Sequence, residues 1–238
     1  FSNTNIGKIV IPDSVTEIGE GAFSQCGALV DVTLPKNLRT LNNNVFSGCD
    51  SLEKIVIPES VRSIETYTFY SCGSLVDITF PSKLEKVGYE AFARCDSLEV
   101  IALPDSVSLM ESGVFWGCSN LQLVYLPENL STIPGMTFRD CSSLFEIYLP
   151  AKVKSIGIKA FDGCSSLTYI YYSGDDDQLS QIQIEKDNDP LYSASVYLVT
   201  AITKDPEDVY AFEGDTVTFS TDTNRDGCTF QWYYLAPD

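Results

Sequence analysis

A fixed period of 23 residues constrains this chain more than any other feature of it. Sliding the sequence against itself by that step superimposes Cys26, Cys49, Cys72, Cys95, Cys118, Cys141 and Cys164 without an insertion or deletion. Seven prolines, Pro12 to Pro150, and seven phenylalanines, Phe23 to Phe161, superimpose at the same step. From Leu52 to Cys72 the unit reads L-x-x-I-x-I-P-x-x-V-x-x-I-x-x-x-x-F-x-x-C. A unit this short cannot bury its own apolar edge. Stacked copies can, so the period predicts a solenoid.

Within each unit, Leu is followed by alternation of period two. Val32 and Leu34, Ile55 and Ile57, or Ile147 and Leu149 are placed to point inward, and Asp31 and Thr33 outward, which is a short half-buried strand. The proline that follows has no N–H for a ladder and ends the strand. In-register stacking then lines these strands up in one parallel sheet, about 4.8 Å apart. Behind the strand, apolar residues recur at three-residue intervals through Val61, Ile64, Phe69, Cys72 and Leu75. That spacing predicts an extended turn and then one turn of 3₁₀- or α-helix. The expected fold class is an α/β repeat, a right-handed solenoid with 23-residue coils and a parallel sheet on one face.

The segments "CDSLEKIVIPESVRSIETYTF" and "CSSLFEIYLPAKVKSIGIKAF" resemble the leucine-rich repeat, in particular its BspA-like bacterial surface-protein subclass. The resemblance covers about residues 1–172. It implies a secreted or cell-surface bacterial protein used for adhesion or host interaction, although a fold alone does not confer a function.

Composition narrows the chemistry. The chain has no histidine, which excludes Ser-His-Asp and Cys-His nucleophilic pairs and His-containing metal sites. No cofactor or catalytic residue is expected, and the chain reads as non-enzymatic. The net charge of −18 repels phosphate backbones and anionic headgroups, so neither nucleic acid nor a membrane surface is an expected partner. No apolar run approaches the roughly 20 residues that span a bilayer. The chain enters a repeat midway near Asn3, which reads as a piece of a longer protein, and it is expected to be monomeric.

Seven aligned thiols admit three readings. A metal site would need ligands gathered around a point, whereas one cysteine per coil forms a line. Disulfides between neighbouring coils would meet the distance requirement, but parallel Cα–Cβ directions oppose the torsion near 90°. A buried column of small, polarizable side chains beside the Phe column requires neither. Cys228, the eighth, lies out of register and reads as a free thiol.

Ligand information must then lie in the variable outward positions of the strands. One column runs Thr33, Val56, Thr79, Ala102, Tyr125, Tyr148, Tyr171, and its neighbour runs Asp31, Lys54, Asp77, Val100, Leu123, Glu146, Tyr169. A third ends in Gln122, Phe145 and Thr168. The C-terminal third of the face thus gathers Leu123, Tyr125, Phe145, Tyr148, Tyr169 and Tyr171, a candidate surface for protein or glycan. The opposing readings are a patch covered by the acidic tail, or plain strand propensity of tyrosine. Tyr67, Tyr70, Tyr89 and Trp116 fall on the outer side of the coils and read as incidental.

Residues 173–201 read as a C-terminal cap: a short helix Gln178–Ile182 preceded by Asp175–Asp177, a second with Asp189 as N-cap and Pro190 following, and a strand Ser195–Thr200. Residues 202–238, with strands Thr216–Thr221 and Cys228–Tyr234 and Trp232, look like the start of an incomplete, all-β immunoglobulin-like domain. The functional expectation is a surface-located binding or adhesion module; the alternatives are a stalk or spacer, or an accessory arm of a larger surface enzyme.

Overall fold

The computed structural model describes residues 1–199 and, beyond them, the strands Ile202–Lys204 and Asp222–Thr223, which pair antiparallel. The expected strands Thr216–Thr221 and Cys228–Tyr234, with Cys228 and Trp232, lie outside the described residues. No helix among the described residues is long and apolar enough to cross a membrane.

Each coil contributes one strand to a parallel row that runs from Lys8–Val10 through Asp31–Thr33, Lys54–Val56, Asp77–Thr79, Val100–Ala102, Leu123–Tyr125, Glu146–Leu149 and Tyr169–Tyr172 to Ser195–Leu198. Pairing keeps the 23-residue step, as in Leu123 with Val100 and Glu146, because any slip would turn the inward Val and Ile out to water. A second, two-residue ladder follows the proline turns from Thr40–Leu41 to Ser155–Ile156 and is continued in the cap by Gln183–Ile184. Between the two, each proline carbonyl accepts the N–H three residues on, as Pro58 does from Val61 at 2.9 Å. The column residues Leu29 to Leu144, Phe46 to Phe161 and Cys26 to Cys164 are all essentially sealed from water in one continuous core.

The expected helical turn on the far side does not form. Two residues in every coil take left-handed backbone angles. One lies five positions before the cysteine (Gly21, Asn44, Tyr67, Glu90, Gly113, Met136, Lys159), the other immediately before it (Gln25, Gly48, Ser71, Arg94, Gly117, Asp140, Gly163). A helix requires an unbroken right-handed run, so this stretch becomes a chain of tight turns instead. The angles direct alternate N–H groups along the solenoid axis to the next coil: Tyr67 to Tyr89 O at 2.9 Å, Phe69 to Ala91 O at 2.8 Å, Ser71 to Ala93 O at 2.8 Å. Cross-coil bonds thus satisfy backbone groups that a helix would have satisfied internally.

The cysteines belong to the same network. Each thiol from Cys49 to Cys164 points at the carbonyl of the phenylalanine in the preceding coil, Cys95 Sγ to Phe69 O at 3.2 Å and Cys164 Sγ to Phe138 O at 3.0 Å. All seven are free. Burial pushes the Cys49, Cys118 and Cys164 thiols up to about 12, which removes the thiolate needed for disulfide exchange or metal ligation.

The last coil is closed by residues that stand in for the missing next one. Asp175 caps the helix Asp176–Ser180 in a reciprocal capping box with Gln178. In the second helix, Asp189–Ser193, the N-cap is Asn188 and not Asp189, and its side chain caps nothing. Instead the buried Asn188 amide accepts from Phe161 N–H at 2.9 Å and donates to Gly157 O at 3.0 Å. The first replaces the bond that a further coil's carbonyl would have made, as Ala160 O does for Phe138 N–H.

Candidate functional site

The outward strand positions of the last coils are set by the alternation: Val124, Ile147 and Ile170 are buried, so Tyr125, Tyr148 and Tyr171 face out. Register places them directly beside one another, Tyr125 with Tyr148 and Tyr148 with Tyr171. Their rings stack, with centroids 4.5 Å and 4.7 Å apart and planes inclined by 22° and 21°. Phe145 meets Tyr169 edge to face at 5.1 Å, and Leu123 is half-buried one column over. All six residues singled out in the sequence therefore occupy one side of the sheet, and Tyr125 and Phe145 keep 39% and 43% of their surface.

A residue that sequence reasoning missed extends the ladder. Tyr197, 49% exposed, stacks on Tyr171 at 5.7 Å and pairs with it in register. It follows Tyr171 by 26 residues and not 23, because the cap adds three residues before the final strand. A search at the fixed period passes over it. The alternation in Ser195–Leu198 was the one available signal.

Beside the ladder, where the strands end in Leu-Pro, lies a groove of about 400 Å³. Leu103, Leu126 and Leu149 form its floor and Tyr125, Tyr148 and Tyr171 one wall, while Asp105 and Glu128 stand on the rim. Asp105 Oδ1 accepts the Glu128 backbone N–H at 2.9 Å, and both side chains are exposed. Partial burial, then the neighbouring Asp105 charge, raises the Glu128 carboxyl. Burial, then Tyr125, Tyr171 and Glu146, pushes the Tyr148 phenol up to about 12, so its hydroxyl stays a donor at physiological pH.

The aromatic residues on the outer side of the coils are not scattered singly as the sequence suggested. Tyr67 contacts Tyr70 and Tyr89 edge to face at 5.4 Å and 5.5 Å. Arg94 and Arg139 approach the Trp116 ring at 5.2 Å and 6.0 Å, and its Nε1–H donates to Asp140 at 3.0 Å. These rings are half-buried and already engaged with neighbours.

With this geometry in view, known proteins place the chain. The family described as BspA type leucine rich repeat region matches residues 1–122 and 63–185 in six copies. Among solved structures, a leucine-rich repeat protein from Bacteroides ovatus is similar at 34% identity with a TM-score of 0.58, over 69% of this chain and 48% of that one. The chain thus spans about half the length of that relative. The leucine rich repeat protein of T. pallidum is similar at 28% identity with a TM-score of 0.66, over 79% of this chain and 87% of that one. No curated protein matches. Shared period, shared fold and a family match over most of its length agree, and the chain belongs to the BspA-type leucine-rich repeat family.

Proposed function

We infer that the chain is a non-enzymatic recognition module, located at the cell surface or secreted, that binds a protein or glycan on another surface through the C-terminal third of its sheet. The observation that carries this reading is the tyrosine ladder. Tyr125, Tyr148, Tyr171 and Tyr197, flanked by Leu123, Phe145 and Tyr169, hold a rigid, amphipathic surface in place before any partner arrives. Such side chains give large contact area at low cost in conformational entropy. None of the described residues packs over the ladder as a cover. Family membership and the structural relatives support an interaction module in general terms.

The test is binding of the protein to panels of extracellular-matrix proteins and glycans, repeated with the Tyr125→Ala/Tyr148→Ala double variant. The reading expects the interaction to be lost while the thermal unfolding curve shows an intact fold. Retention of every interaction by the folded variant would sink it.

A further inference from the structure

The position after each proline forms its own column, and its charges change along the solenoid. Asp13 pairs with Lys36 at 3.5 Å, and Glu59 accepts from Ser82 N–H and Oγ–H at 3.0 Å and 2.8 Å. At the next pair the column places acid beside acid: Asp105 and Glu128, with no ion-pair partner for either carboxylate among the described residues. Lys152 donates to Asn129 Oδ1 at 2.6 Å, and its charge acts on Glu128 without closing an ion pair. This acid pair borders the groove where the tyrosine ladder begins.

Ring orientation adds a second, independent constraint. Stacked at 4.5–4.7 Å, the inner tyrosines cover each other's faces and offer edges and hydroxyls outward. At Tyr125 the stack ends, because its register neighbour is Ala102, whose methyl group cannot cover an aromatic face. An open ring face beside two unpaired carboxylates matches a cationic side chain, which gains from the ring quadrupole and from the charges together. A neutral sugar needs broad exposed ring faces, which the ladder mostly hides. The groove crosses three inter-strand steps, about 14 Å, the length of about four extended residues.

We propose that the groove binds an extended, basic polypeptide segment, with an arginine or lysine side chain seated on the free face of Tyr125 between Asp105 and Glu128. The segment lies across the strands over Leu103, Leu126 and Leu149, and the Tyr148 and Tyr171 hydroxyls donate to its carbonyls. This rests on the tyrosine face being the binding surface and names the chemistry of its partner.

A fluorescein-labelled hexapeptide of alternating arginine and alanine, titrated into the full chain at physiological salt and read by anisotropy, tests it. Controls are the glutamate-for-arginine peptide and a neutral glucose oligomer. The arginine peptide is expected to bind and the controls are not. Asp105→Asn/Glu128→Gln is expected to weaken binding on the order of tenfold. Glu17→Gln/Asp31→Asn removes the same charge from the first two coils, three or more coils from Asp105, and is expected to change binding less than about twofold. Equal weakening by both double variants would reduce the effect to bulk charge and overturn the proposal, as would no binding of the arginine peptide or binding of the glucose oligomer in its place. A panel partner that is lost in Tyr125→Ala/Tyr148→Ala, kept in Asp105→Asn/Glu128→Gln and not displaced by the arginine peptide overturns the cation site and leaves the tyrosine face standing. A panel partner that survives all of these variants removes the tyrosine face itself.

Discussion

Two aromatic ladders run along this solenoid, and they obey the same rule with opposite outcomes. Phe23 to Phe161 stack coil upon coil with centroids 5.2–5.8 Å apart, and Tyr125 to Tyr197 do so at 4.5–5.7 Å. The spacing comes from the coil step in both. The Phe rings are sealed in the core, however, whereas the Tyr rings stand on the sheet with solvent along their edges. The repeat therefore dictates that identical residues will stack. Which side of the backbone they stand on decides whether the stack holds the protein together or is available to a partner.

The largest expected effect is a difference in stability between the two ladders. Phe92→Ala deletes a buried ring that contacts Phe69, Phe80 and Phe115, and is expected to cost about 3–5 kcal/mol in urea unfolding. Tyr148→Ala is expected to cost about 1 kcal/mol or less. Equal losses would show that the tyrosine ladder is also structural, and the contrast would collapse.

Exchanging hydroxyls sharpens the same contrast. Phe92→Tyr buries an unpartnered hydroxyl and should cost about 1–3 kcal/mol, whereas Tyr148→Phe should stay within about 0.5 kcal/mol. Beside the Phe ladder, Cys95→Ala removes one thiol-to-carbonyl contact and a small volume, an expected loss of about 1 kcal/mol. The column thiols should also resist a thiol-specific reagent until the protein is unfolded. Reaction of the Cys72, Cys95 or Cys118 thiols in the native state would contradict their burial.

The smallest effect is one of pH, and of the two aromatic ladders only the Tyr one carries a titratable group. The folded Tyr148 phenol is raised from 10.0 to about 12, so the neutral form is favoured in the folded state. Its contribution to stability is complete below pH 10 and is lost as pH rises through about 12. Denaturation midpoints measured across that window should fall, and Tyr148→Phe should flatten the decline. An unchanged profile in the variant would assign the fall to other groups.

The strands, the prolines that end them and the Leu, Phe and Cys columns were legible because each is a local pattern repeated at one period. The outward placement of Tyr125, Tyr148 and Tyr171 was legible for the same reason: alternation assigns faces. Tyr197 was not, since three inserted cap residues break the period just where the ladder continues. The turns were misread as helical because Tyr67, Glu90, Met136 and Lys159 are not residue types that announce a left-handed backbone. Bonds to the neighbouring coil offset that local cost, and no local pattern contains them. The part Asn188 plays in closing the last coil was hidden likewise, because its partners Phe161 and Gly157 lie 27 and 31 residues away.

By itself the sequence determined the period, the direction of each strand side chain and the identity of every column, because these depend on the order of residues along one coil. Only the tertiary structure decided which carbonyl each thiol meets, that the far side is a cross-coil ladder and not a helix, and that Asp105 and Glu128 stand unpaired beside the open face of Tyr125. Those outcomes depend on what the neighbouring coil presents across the stacking interface, and there distance in space replaces distance along the chain.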